Sequence, residues 1–152
     1  MEHAIEQLQL TRRSLRKVLQ ELSLEQMLTI PDGFRNNILW NIGHVVVSQQ
    51  GLHYRLSGLP LYVSQEQVEQ FRRGSEPAGW NGVPDVGLLE RQLTELPERL
   101  LVDYRARRFE QYTEFSTFTG PVLRSIEEAI VFNNYHEGYH SGIITALRRL
   151  VM

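Results

Sequence analysis

Near the C-terminus, His136-Glu137-Gly138-Tyr139-His140 brings two imidazoles and a carboxylate within one helical turn. Histidines four apart on a helix lie on the same face, one above the other, so both can converge on one divalent metal ion. The pentapeptide also fits His-Glu-x-x-His, the metalloprotease signature in which the glutamate acts as general base. The extended signature is absent. Ile143 and Ala146 stand where it wants a glycine and a third histidine, and Arg148 to Met152 contain no carboxylate. A third protein ligand must therefore come from upstream. Glu137 is expected to be solvated or partner-facing, with a base role as its alternative.

The elements that must position this stretch are helical. Ser125 with Glu128 reads as a capping box that opens a last helix over 125–150, with apolar residues recurring at Ile130, Ile143, Leu147 and Leu150. A first helix over 2–21 has the seam Ile5, Leu8, Leu15, Leu19 and Leu22, interrupted by Arg12, whose long stem can snorkel past it. His3, at its fraying start, reads as exposed or as a dimer contact. A second helix over 36–57 starts at Asn36 or Asn37 and stops at Gly58-Leu59-Pro60. A third, over 85–107, starts at Asp85 and contains Pro97, where a kink or restart is expected. Between the second and third lies a long connection with a short helix from Ser64 to about Arg73, and a loop bearing Trp80 that reads as a possible partner surface. Residues 109–123 read as irregular or as containing a short extended piece. Four amphipathic helices make an all-α four-helix bundle with a long crossover, in a single domain over 1–152.

The second helix carries two stripes. One is apolar (Ile38, Ile42, Val45, Leu52, Leu56), and beside it run Asn37, Asn41, His44, Ser48 and Gly51, all polar or small, with Arg55 as the charged extension. A polar stripe adjoining a core stripe is how one wall of a buried polar pocket would read. His44 with His136 and His140 then gives three imidazoles from two helices, a set that suits Zn²⁺ and is compatible with Ni²⁺, Fe²⁺ or Co²⁺. Asn41 and Asn133 sit on matching faces, where either can orient an imidazole or a metal-bound ligand. Spacing alone leaves the alternative open that all three are core histidines bonded to carbonyls. His53, nine residues from His44, falls on the opposite side of the helix and cannot share its metal. Gly43, Gly138 and Gly142 flank the histidines and would allow close helix approach. Trp40 and Tyr139 read as core aromatics or as the lining of a pocket mouth.

Composition removes several classes of function. There is no cysteine among 152 residues, hence no disulfide, thiolate ligand or cysteine nucleophile, and any thiol chemistry must borrow its thiol. The net charge of −2, with arginines scattered among glutamates, marks no nucleic-acid surface. No apolar run approaches the length of a membrane span, and the N-terminus lacks a signal-peptide core, so no membrane partner and a cytoplasmic location are expected.

Asn37-Ile38-Leu39-Trp40-Asn41-Ile42-Gly43-His44-Val45, followed by Tyr135-His136-Glu137-Gly138-Tyr139-His140-Ser141-Gly142-Ile143-Ile144, resembles the DinB/YfiT-like superfamily over essentially the whole chain. Its members carry aromatic-x-x-x-His on the second helix and His-x-x-x-His-x-Gly on the last. The resemblance implies a four-helix bundle, a divalent metal (Zn, Ni or Fe) held by His44, His136 and His140, and a homodimer. It also implies a small-molecule substrate and metal-dependent transfer involving a low-molecular-weight thiol of the bacillithiol, mycothiol or glutathione type. A metal-dependent hydrolase and a non-catalytic metal- or ligand-binding bundle are the alternatives. Asn41, Arg55 and Glu137 are the candidate catalytic residues, Arg55 for an anionic substrate group.

Overall fold

The structure, a computed structural model, describes residues 1–152. Six α-helices follow in order: α1 Glu2–Glu21, α2 Leu24–Leu28, α3 Ile38–Gln50, α4 Gln65–Phe71, α5 Val86–Arg105 and α6 Ile126–Val151. Two-residue strands β1 Phe115–Ser116 and β2 Val122–Leu123 pair antiparallel, Phe115 opposite Leu123, as the only sheet. That hairpin is the short extended piece expected before the last helix.

The long helices α1, α3, α5 and α6 form the bundle. Helix α1 packs on α5 and α6, and α3 packs on the same two, so α1 and α3 occupy opposite corners. The α1 seam is buried as its spacing predicts: Ile5, Leu8, Leu15, Leu19 and Leu22 all lie inside. Removing one such side chain from water stabilises the fold by about 1.5–3 kcal/mol. Helix α3 is buried on every side from Ile38 to Val47, with Leu39, Ile42, Val45 and Val46 in the main core. A helix enclosed this way has no solvated face, so its polar stripe is an interior wall.

Helix ends follow their caps. Ser23 and Ser64 each form a complete capping box, with Gln26 and Gln67 returning the bond. Asn37 caps α3 by accepting from the Trp40 N–H, and Asp85 caps α5 by accepting from that of Leu88. Ser125 caps α6, but Glu128 reaches past it to the Arg124 N–H at 2.6 Å, so the expected box is only half made. Pro97 neither restarts nor interrupts α5, which continues unbroken to Arg105. Leu93, Leu96 and Leu100 on either side of it are buried and hold both halves on the core.

The second long helix is not α-helical to its end. From Gly51 to Arg55 it widens into a π turn, with the Leu56 N–H bonding the Gly51 carbonyl. The extra residue shifts the register and turns His53 and Tyr54 fully inward. Gly58, at φ +69, then ends the segment as expected.

The crossover from 56 to 85 folds back along α3. A Cβ on Gly43 would meet the Phe71 ring at less than contact distance, so α4 lies directly on the α3 backbone there. Trp80, expected in an exposed loop, is tucked in: its indole N–H donates to the Gln70 carbonyl at 3.0 Å and its ring packs edge-on against Phe71. It is therefore part of the crossover's anchor and half-buried, while Asn81 to Val83 beside it stay exposed.

Candidate metal centre

His44 comes from α3, and His136 and His140 from successive turns of α6. Their ligand atoms all lie within 4.8 Å of one another, and no carboxylate belongs to the group. Each ring sits 4.5–5.1 Å from the next, centroid to centroid.

Two of the rings are held from behind. The His44 Nδ1–H donates to the Phe71 carbonyl at 2.7 Å, and Trp40 stacks on its face at 4.7 Å with the planes 8° apart. The Trp40 indole is fixed in turn by the Ser75 hydroxyl at 2.9 Å. The His140 Nδ1–H donates to Asn41 Oδ1 at 2.8 Å. The Asn41 amide cannot turn over, because its Nδ2 donates to the Asn37 carbonyl at 2.8 Å. Acceptors on both Nδ1 atoms place the protons there and leave each Nε2 with its lone pair, the form in which imidazole binds a metal. Ser48 Oγ lies 3.3 Å from His44 Nε2. His136 Nδ1 is buried with no hydrogen-bond partner, an orphan that a cation would satisfy.

The electrostatics agree with ligation. Burial pushes His136 and His140 down to about 3, and the neighbouring histidines push the same way. Burial lowers His44 too, partly offset by its bond to the Phe71 carbonyl, while the charge of Arg73 adds to the lowering. All three are neutral at physiological pH, as a divalent ion requires. The residues present therefore fit a metal.

Several site expectations change. Glu137 is neither solvated nor partner-facing: it is fully buried, and both carboxylate oxygens accept from Arg12, Oε1 from Nη2 at 2.6 Å and Oε2 from Nε at 2.8 Å. Burial pushes its carboxyl up and the Arg12 guanidinium opposes it. Arg12 does not snorkel either. Its side chain is as buried as its partner's, and Nη2 also donates to the Val45 carbonyl at 2.9 Å. Asn41 orients His140, whereas Asn133 faces Glu137 Oε1 at 3.5 Å and serves no imidazole. Arg55 lies exposed at the last position of the π turn, where its charge bears on Glu69, and the cation whose charge bears on His44 is Arg73. Tyr139 is 60% exposed, edge-on to His140 at 5.3 Å, so it is not a core aromatic. A Cβ on Gly138 or Gly142 would meet nothing; of the three glycines, Gly43 alone allows a close approach, and to α4. His53 stands outside the cluster.

Sequence reasoning missed the Arg12–Glu137 pair and the Phe71 carbonyl. The first had a signal: Glu137 lies seven residues from both Ile130 and Ile144, on the core stripe of α6, and Arg12 sits in the α1 seam. Opposite charges on two core stripes call for each other. The second had none, since backbone acceptors carry no residue identity. A groove of about 690 Å³ between the hairpin and α6 is lined by Val122, Leu123, Val131, Phe132 and Tyr135 among others, and contains none of the three histidines.

The family model described as DinB superfamily matches residues 7–144. The chain belongs to the DinB superfamily. No curated protein matches it. Both motif segments of this DinB protein, 37–45 and 135–144, fall inside the matched span. Family and three-histidine cluster together fit a metal-binding protein.

Proposed function

We propose that His44, His136 and His140 hold one divalent ion, with Zn²⁺ favoured over Ni²⁺ and Fe²⁺, and that this DinB protein is a metal-dependent transferase using a low-molecular-weight thiol. The observation that carries the reading is a cluster of three neutral imidazoles, two of them fixed through Nδ1, with no fourth protein ligand in the group. A divalent ion held by these three residues would acidify a thiol or water and so supply a nucleophile at neutral pH.

The chain's own residues bind, orient and shield. Asn41 and the Phe71 carbonyl hold the imidazoles in one tautomer, and Trp40 walls the site against the crossover. His136 is half-buried and Tyr139 exposed beside it, so a small-molecule substrate approaches along this side of α6. The absence of cysteine fits a borrowed thiol. No helix is long and apolar enough to cross a membrane, and the proposed setting is the cytoplasm, where such thiols are kept reduced. A homodimer is proposed through the exposed face nearer the start of α6, where Val131 and Tyr135 are each more than half exposed.

Metal content of purified wild type and His136→Ala tests the site; equal content in both overturns it. Turnover of a panel of thiols and electrophiles by metal-loaded protein, compared with His44→Ala, tests the reaction. Turnover unaffected by that substitution sinks the transferase mechanism. Turnover without any thiol makes the protein a hydrolase, and none with any thiol makes it a non-catalytic binder. Light scattering of the purified protein, monomer against dimer, decides the assembly.

A further inference from the structure

We propose that Arg12 is a positioning residue for the metal centre: its guanidinium ties the backbone beside His44 to the side chain beside His136 and so sets the spacing of the two ligand-bearing helices. The inference rests on the three-histidine reading above.

Arg12 belongs to α1, which supplies no ligand and lies at the corner opposite α3. From there it crosses the bundle. Nη2 donates both to the carbonyl of Val45, the residue after His44, and to Oε1 of Glu137, the residue after His136, while Nε donates to Glu137 Oε2. One planar group thus binds α3 through its main chain and α6 through a carboxylate. The polar contacts between α3 and α6 at this level are this bridge and the Asn41–His140 bond.

A purely structural role explains the arrangement poorly. Both side chains are fully buried, and desolvating two charges roughly cancels their attraction, so a well-packed apolar pair would hold a bundle as firmly or more so. An apolar pair cannot supply direction. Bonds of 2.6, 2.8 and 2.9 Å from one rigid fork fix where two backbones stand relative to each other. Groups hydrogen-bonded to the ligands typically change metal affinity by about 10–100-fold when removed; Arg12 stands one residue further back, bonded to the neighbours of two of them.

The test titrates full-length wild type, Arg12→Lys and the double variant Arg12→Met/Glu137→Leu with Co²⁺ against a competing chelator. The d–d absorption is recorded for each, and urea unfolding of the metal-free proteins reports folding. The double variant is expected to unfold at or above the wild-type midpoint, yet to bind Co²⁺ about 10–100-fold more weakly, with a changed d–d band. Arg12→Lys, a point charge in place of a fork, should fall between. A folded variant with wild-type affinity and band overturns the positioning role and leaves the three-histidine reading intact. Wild type that binds no Co²⁺, or His136→Ala that binds as tightly, overturns that reading and this one with it. The wild type also carries a test without substitution: if Arg12 favours metal binding, metal must favour the Arg12 contacts by the same factor. Zn²⁺ should then slow solvent exchange of the Arg12 Nε proton by NMR, and an unchanged rate overturns the proposal.

Discussion

A single amide decides which face His140 turns to the centre. Asn41 Oδ1 accepts the Nδ1 proton, and the Asn37 carbonyl prevents the amide from flipping. Asn41→Ala leaves His140 free to tautomerise and rotate, so metal affinity by chelator competition should fall about 10–100-fold. Stability of the metal-free protein should fall by about 1–3 kcal/mol, because a buried N–H loses its acceptor. Unchanged affinity would mean that the ring is held by packing alone. At this scale the sequence was informative about ligand-type residues and poor about their supports. Histidines declare themselves by chemistry and spacing, whereas nothing in the motif itself separates a solvated or partner-facing Glu137 from a buried one. Only its position on the core stripe does so, and the partner that makes burial tolerable lies 125 positions away.

At the scale of elements, the contact that builds the centre is α4 lying on α3 at Gly43. The Phe71 ring occupies the space a Cβ would need, and its carbonyl takes the His44 proton. Phe71 is 1% exposed, so the ring has no room to swing away. Gly43→Ala is therefore expected to cost about 1–3 kcal/mol in urea unfolding through overpacking, and to weaken metal binding by displacing the carbonyl. A variant as stable as wild type, with full affinity, would show that α4 shifts freely. The bundle helices themselves were legible, since hydrophobic spacing and caps located α1, α5 and α6 to within a residue or two. The π turn was not legible. Widening a helix by one residue depends on which carbonyl a buried N–H selects, and periodicity is too coarse to register it. Pro97 was misleading for the opposite reason: of the kink or restart that a local rule predicted, the restart does not occur, since packing on the core carries one helix through the proline.

For the molecule as a whole, the buried histidines make the metal-free fold acid-sensitive. His53, His136 and His140 are held down to about 3 by burial, and His44 is lowered as well, while each titrates near 6.5 in the unfolded chain. Below pH 6.5 the unfolded chain takes up protons that the folded one refuses. The stability present above that pH is therefore lost as pH falls toward 3. Each such histidine contributes up to about 1.4 kcal/mol per pH unit. Burial moves Glu137 the other way, so that group opposes the trend, one against four. Urea midpoints measured from pH 7 to pH 4 without metal should decline steadily, and a flat profile would contradict the burial. Excess Zn²⁺ at pH 7 should raise the unfolding free energy by about 2.7 kcal/mol at a hundred times its dissociation constant, and the midpoint with it. Amphipathic helices and one long crossover made the bundle readable from the sequence at this scale. The brace through its centre became visible only when α1 and α3 stood at opposite corners.

The stacking of Trp40 on His44 gives the protein an optical reporter of its own centre. The chain has two tryptophans: Trp40 lies 4.7 Å from the His44 ring, and Trp80 is seated on the Phe71 side of the crossover. A paramagnetic ion such as Ni²⁺ or Co²⁺ would drain the excited state of Trp40 far more than that of Trp80, so occupancy is readable as a fall in fluorescence with no label attached. Trp40→Phe should keep an aromatic wall over the imidazole while removing most of that fall. Equal quenching in the variant would locate the ion away from His44.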